Sequence, residues 1–279
     1  MTRFTNNLKT TVFLAALFAL VLALGQVIGG MQGLIIAFAF GVLMNGIAYF
    51  YSDKIALATM QGQEVNEQTA PDLVHMVKRL ADNAGLPMPR VYICPQQAPN
   101  AFATGRNPKH AAVAVTQGAL RLLTYDELEG VLGHELSHVK NRDTLTSCVA
   151  ATIAGAISFL YYLGLFFGGS RDREGNPILM LLMILLAPIA ASLIQLAISR
   201  SREYVADHDG AELAGSPNGL ISALEKLESV GKRVPMEGVN PAFHNLFIIE
   251  PVTMGQRIAG LFATHPPTSQ RIARLREMA

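Results

Sequence analysis

Long uncharged runs alternate with polar segments along the chain. From Thr10 to Ser52, 43 residues pass without an Asp, Glu, Lys or Arg. As continuous helix this run would extend about 65 Å, roughly two crossings of a 30 Å hydrocarbon core. The glycines and glutamines of "GQVIGGMQG" (25–33) predict a break there, giving two helices joined by a very short turn. Two more uncharged runs, Thr144–Ser170 and Gly175–Ser199, flank "RDRE", and each is long enough to span. Pro188 in the last is tolerable in a membrane helix. A cleaved signal peptide is the competing reading of the first run, with Arg3 and Lys9 ahead of it and Ala23-Leu24-Gly25 as a cleavage site. The second apolar helix follows at once, which favours an uncleaved anchor.

The pattern thus divides the chain into a two-helix membrane anchor (1–52), a polar segment (53–143), a helical hairpin that crosses or dips into the membrane (144–199), and a second polar segment (200–279). Within the polar parts, "APDLVHMVKRLADNAGL" (70–86) reads as an amphipathic helix ending at Gly85. "RVYICP" and "HAAVAVTQGAL" have β character, with "APNAFATGRNPK" between them. Helices are predicted near 200–213, 217–230 and 268–278, with a proline-punctuated stretch at 235–251.

Composition and charge sharpen this picture. The chain is 51% hydrophobic and only 15% charged. Segments 53–143 and 200–279 each carry nine Lys or Arg, against two in the 171–174 loop and none in the 25–33 turn. The positive-inside rule therefore puts both polar segments and the N-terminus on the cytosolic side. No basic stretch suggests nucleic acid. Cys94 and Cys148 lie far apart in sequence, so neither a structural disulfide nor a cysteine metal site is expected. His75, His110 and His244 stand isolated and carry no functional reading.

The candidate chemistry lies in "VLGHELSHVK" (131–140). His134 and His138 are four apart, so on a helix they offer two nitrogens to one metal ion. Glu135 is placed to reach a water beside that ion, which is the H-E-x-x-H arrangement of two ligands plus a general base. Thr124 followed by Glu127 makes a capping box, and Leu128, Val131, Leu132, Leu136 and Val139 supply an apolar face. A solvated helix with two surface histidines is the bland alternative, which a third ligand would displace. The fourth uncharged run flows into "SRSREYVADHDGAELAG", placing Glu203 and Asp207 on one helix face. Glu203 there completes a His₂Glu zinc site, and Asp207 is suited to accept a hydrogen bond from a ligand imidazole. An ordinary solvated helix is equally open on periodicity alone. His208 is a competing ligand, pointing about 140° away from Glu203.

Together, "GHELSHVKNRD", "SREYVADHDGAELAG" and "THPPTSQRIARL" resemble the membrane-integrated zinc endopeptidases of the HtpX type, bacterial relatives of the CAAX-prenyl endopeptidases. The likeness covers essentially the whole chain, without departure at a catalytic position. It implies a mainly α-helical integral membrane protein with a zincin-type (gluzincin) α+β catalytic domain containing a small β-sheet. It also implies one Zn²⁺ held by His134, His138 and Glu203, with Glu135 as base and Asp207 supporting a ligand. "PNAFATG" matches an edge strand for substrate, implicating Asn100, Ala101 and Phe102. His265 and Arg271 match a C-terminal element assigned to transition-state or substrate contacts, with a purely structural role equally open.

The expectation is a zinc metalloendopeptidase at the cytosolic membrane face, cleaving misfolded or damaged membrane proteins. Glu203 lies four residues beyond the last uncharged run, about 6 Å along a helix, so the metal sits close to the bilayer. A non-proteolytic channel or carrier would place ionisable residues inside its spans, and the four runs contain none. An intramembrane protease would bury its motif in an apolar helix, whereas Asp126, Glu127, Lys140, Arg142 and Asp143 surround this one.

Overall fold

The computed structural model describes residues 2–145, 200–231 and 266–278. The chain begins with α1 (Thr2–Thr59), interrupted by one non-helical residue, Gly30, at φ 55° and ψ −139°. The rings of Phe18 and Phe38 lie 5.4 Å apart. Twenty positions of straight helix would separate them by about 30 Å. The chain therefore doubles back at Gly30, inside the segment where a break is predicted. Glycine alone among the residues takes such a backbone conformation without a Cβ penalty. Counted over the described residues, no helix is both long and apolar enough to cross a membrane. The two uncharged runs at 144–199 lie almost entirely outside the described residues, as do many α1 side chains.

After α1 come β1 (Gln63–Val65), α2 (Pro71–Ala84), β2 (Arg90–Cys94), β3 (Ala101–Thr104), β4 (Ala112–Thr116) and α3 (Gln117–Leu122). Helix α2 stops where predicted, because Gly85 adopts the left-handed cap at φ 65°. The strands form a mixed sheet in the order β1-β2-β4-β3, with β2 and β4 parallel and both outer pairings antiparallel. Two local expectations change. The sequence "TQGAL" does not continue the strand. The Thr116 hydroxyl accepts a hydrogen bond from the Ala119 amide and starts α3 instead. The three-residue β1 carried no periodicity long enough to announce it.

The central element is α4 (Tyr125–Asn141). Its capping box is complete, with Thr124 and Glu127 each satisfying a backbone amide of the other. Leu132 and Leu136 are fully buried, in one core cluster with Val113 and Val115 of the sheet and Leu80 of α2. On its other sides lie α5 (Arg200–Ala214) and α6 (Asn218–Gly231), while α7 (Thr268–Arg276) packs on both of those. The approach of α5 is set by glycine. A Cβ on Gly133 would meet the Gly210 carbonyl oxygen at 2.6 Å, and one on Gly210 would meet the His134 amide nitrogen at 2.5 Å. Backbone touches backbone at the first histidine of the motif.

Candidate metal centre

Three side chains converge where α4 and α5 meet. The Nε2 atoms of His134 and His138 are 3.2 Å apart. Glu203 brings one carboxylate oxygen to 3.7 Å from His134 Nε2 and the other to 3.6 Å from His138 Nε2. The ligand atoms all lie within 4.8 Å of one another, as a metal site requires. On α5, Glu203, Asp207 and Gly210 share one stripe, at offsets of four and seven residues. The same face thus carries the third donor, its neighbour in the site, and the point of closest contact with α4.

The opposite side of each imidazole is held by a carboxylate. Asp207 Oδ1 lies 2.9 Å from His134 Nδ1, and Asp143 Oδ2 lies 3.1 Å from His138 Nδ1. An Arg271 nitrogen is also 3.4 Å from His134 Nδ1, but it already donates to Asp207 at 2.6 Å. The nearer carboxylate therefore assigns the ring proton to Nδ1. That assignment leaves two Nε2 lone pairs facing each other, an arrangement that needs a cation between them. The edge of a tetrahedron with metal–ligand bonds near 2.0 Å is about 3.3 Å. The 3.2 Å between the two Nε2 atoms matches that edge, and the Glu203 carboxylate sets one oxygen 3.7 Å from His134 and the other 3.6 Å from His138, so the three side chains surround room for one ion. The residues present fit the group.

Electrostatics follow from burial and pairing. Arg271 is 1% exposed and grips Asp207 through two hydrogen bonds, Nε at 2.8 Å and Nη2 at 2.6 Å. Burial disfavours the Asp207 anion, but the Arg271 charge and the bonds from Arg271 and His134 outweigh it and hold its pKa at about 2. Burial likewise disfavours a charged His138, yet the Asp143 hydrogen bond and the charges of Glu203, Asp143 and Glu135 raise its pKa to about 9, so that without a metal the ring holds a second proton at neutral pH, which a bound ion would displace. Arg202 Nη1 approaches the other oxygen of Asp143 at 3.4 Å, so both supporting carboxylates also face an arginine.

Glu135 is buried, and its Oε2 accepts a hydrogen bond from the Ala103 amide of β3 at 2.9 Å. This bond places the carboxylate between the histidine helix and the outer strand of the sheet. It also fixes the strand's phase. The Asn100 carbonyl accepts from the Thr116 amide, so Asn100 and, two residues on, Phe102 turn their backbone groups toward β4. Ala101 and Ala103 turn theirs outward.

The structure brings His134, Glu135, His138, Glu203, Asp207 and Arg271 together. His208, the competing ligand, is more than half exposed and lies beside Asp209 and Glu212. His265 lies outside the described residues. Sequence reasoning missed the Asp143 contact with His138 and the Ala103 amide. Asp143 is five residues beyond His138, off the i, i+4 spacing, and reaches the ring only because Arg142 adopts a left-handed cap at φ 60°. Ala103 contributes a backbone atom, which no side-chain pattern reports.

A helix bearing two histidines and a buried glutamate, a carboxylate from a second helix, and an adjoining edge strand are together the arrangement of a metallopeptidase. A family model agrees: residues 67–279 match peptidase family M48, and the chain belongs to that family. It is 52% identical over 281 residues to a protein named "Protease HtpX homolog" from Pelotomaculum thermopropionicum, covering 98% of this chain and 99% of that one. A protein of the same name from Nostoc punctiforme is 53% identical over 277 residues, at 97% and 95% coverage. Among solved structures, Ste24p of S. mikatae matches with a TM-score of 0.51 at 18% identity. That match covers 98% of this chain and 66% of the other, and shows a shared fold.

Proposed function

We propose that this metallopeptidase is a zinc endopeptidase, anchored in the bacterial inner membrane and cleaving misfolded membrane proteins at its cytosolic face. One observation supports the zinc assignment: both imidazoles are held at Nδ1 by carboxylates, so that two Nε2 atoms 3.2 Å apart turn toward the Glu203 carboxylate. A donor set of two nitrogens and one carboxylate oxygen suits zinc, with His134, His138 and Glu203 holding it. When bound, the ion supplies Lewis-acid polarisation of the scissile carbonyl and lowers the pKa of a coordinated water toward neutrality.

The remaining steps belong to the chain. An extended substrate pairs with the outward backbone groups of Ala101 and with the Ala103 carbonyl, the Ala103 amide being held by Glu135, which gives affinity with little sequence selectivity. Glu135, tethered to Ala103, then lies beside the peptide bond presented on that strand. It takes the proton as water attacks and returns it to the leaving amine. Asp207 and Asp143 fix the imidazole tautomers, and Arg271 acts as a positioning residue by locking Asp207.

The membrane assignment rests on α1. Its sequence holds no charge between Thr10 and Ser52, and each arm of the hairpin exceeds 30 Å. Met31, Ile35, Ile36 and Phe38 are each more than half exposed, an arrangement that lipid rather than water accommodates. Hydrolysis of an unfolded protein by purified, detergent-solubilised enzyme tests the activity. Chelation should abolish cleavage and stoichiometric zinc restore it. Cleavage that survives complete chelation would overturn the assignment.

A further inference from the structure

Where α1 leaves its uncharged run, the surface opens into a cleft of about 640 Å³. One wall is the end of α1, with Phe50, Tyr51 and Lys54. The facing wall is the start of β2, with Arg90, and the loop after β3, with Arg106 and Lys109. Four cations line a cleft that contains one carboxylate, Asp53, and Arg90 holds that carboxylate at 2.8 Å. Among the described residues, Lys54, Arg106 and Lys109 have no acidic partner. Two of the three lie instead against aromatic rings: Lys54 Nζ is 5.0 Å from the Tyr51 ring centre and the Arg106 guanidinium 5.5 Å from that of Phe50. Phe50 and Tyr51 expose about half their surface at the rim.

Uncompensated positive charge beside exposed aromatic rings, at the end of an apolar helix, is the chemistry of the headgroup layer. Aromatic side chains settle at the membrane–water boundary, and basic ones reach anionic phosphates. We propose that this cleft binds the headgroup of an anionic phospholipid, its phosphate on Arg106 and Lys109 and its acyl chains running back along α1 past Phe50. A zwitterionic headgroup carries the same phosphate plus a cation that Lys54 would repel, so the preference is for net negative charge. Because Arg106 and Lys109 follow β3 directly, a bound headgroup would also hold the outer strand at the bilayer surface. The inference rests on the membrane reading of α1 and is independent of the zinc chemistry.

The test is native mass spectrometry of the full-length protein in detergent. Phosphatidylglycerol is titrated against phosphatidylcholine of identical acyl chains, with inorganic phosphate as a soluble competitor. Wild type should retain phosphatidylglycerol preferentially. Arg106→Gln/Lys109→Gln should weaken it by about thirtyfold and Lys54→Gln, an exposed position on the other wall, by about fivefold. Equal retention of both lipids, or undiminished retention by the double variant, would overturn the proposal. Displacement by inorganic phosphate at the lipid's own concentration would do so too, by reassigning the cleft to a soluble anion. Hydrolysis by the same preparation reads the protease assignment separately: a lost lipid preference with intact cleavage strikes this inference alone.

Discussion

Gly210→Ala tests whether the metal site depends on how closely two helices approach. The added methyl would lie 2.5 Å from the His134 amide nitrogen and 2.7 Å from its Cα. Ordinary contact begins at 3.4 Å, so α5 must retreat from α4 by about 0.9 Å. Metal–ligand distances tolerate only about 0.2 Å, and Glu203 rides on the same face of α5 two turns away. The energetic terms nearly offset each other. Overpacking costs about 1–3 kcal/mol, whereas replacing glycine inside a helix returns about 1 kcal/mol. The protein should therefore stay folded, within about 2 kcal/mol of wild type, while zinc affinity falls at least tenfold and hydrolysis falls with it. Zinc competition titration beside thermal unfolding reads both quantities. Gly46→Ala adds the same methyl where nothing lies within 4 Å and should leave zinc binding unchanged. Wild-type zinc affinity in Gly210→Ala would refute the idea that backbone contact sets the position of Glu203.

Other outcomes follow from the same geometry. Glu203→Ala should lose zinc as well as activity, since two imidazoles alone hold the ion poorly; stoichiometric zinc in that variant would redirect the search to other donors. Asp143→Asn and Asp207→Asn should each cost about 10–100-fold in metal affinity or activity, because each removes a carboxylate from a ligand imidazole. Glu127 links α4 to α6 through Ser222 and Lys226. Its burial raises the pKa, but those bonds outweigh it and hold the group at about 2 against an ordinary 4.5. The sign follows: the contribution is complete above pH 4.5 and is lost as pH falls toward 2. Screening around the half-exposed Lys226 leaves on the order of 1–2 kcal/mol. Lys226→Met should remove most of that increment at pH 6 and little at pH 2, as read by denaturant unfolding. Cysteine labelling at Gln61 and Val234 should succeed only from the cytosolic side; labelling of either from outside would overturn the membrane topology.

What the sequence made legible was what local spacing encodes. The capping box, the i, i+4 histidines, the Glu203/Asp207 face, the Gly85 stop and the break near Gly30 all lie within a few positions of their partners. What it hid depends on chain segments that meet only after folding. The Ala103 amide reaches Glu135 across 32 positions and involves no side chain on the strand. Gly133 and Gly210 look like weaknesses in two helices until their backbones are seen in contact. Arg271 could be placed near the chemistry by its motif, but only the packing of α7 shows its guanidinium turned onto Asp207 behind His134. The strand phase was equally hidden. Asn100 just before the strand and Phe102 within it turn their backbone groups toward β4, whereas Ala101 and Ala103 turn theirs to the side where Glu135 lies.

Glu135→Gln tests the central claim most directly, because it separates chemistry from metal binding. Gln is nearly isosteric and still accepts the Ala103 hydrogen bond, and both imidazoles and Glu203 stay in place. Losing a general base typically costs about 10²–10⁴ in rate. Zinc content and peptide hydrolysis should be measured on one preparation of the variant. The account predicts one zinc per chain, wild-type thermal stability and hydrolysis reduced at least a hundredfold. Near-normal hydrolysis by the zinc-loaded variant would contradict it.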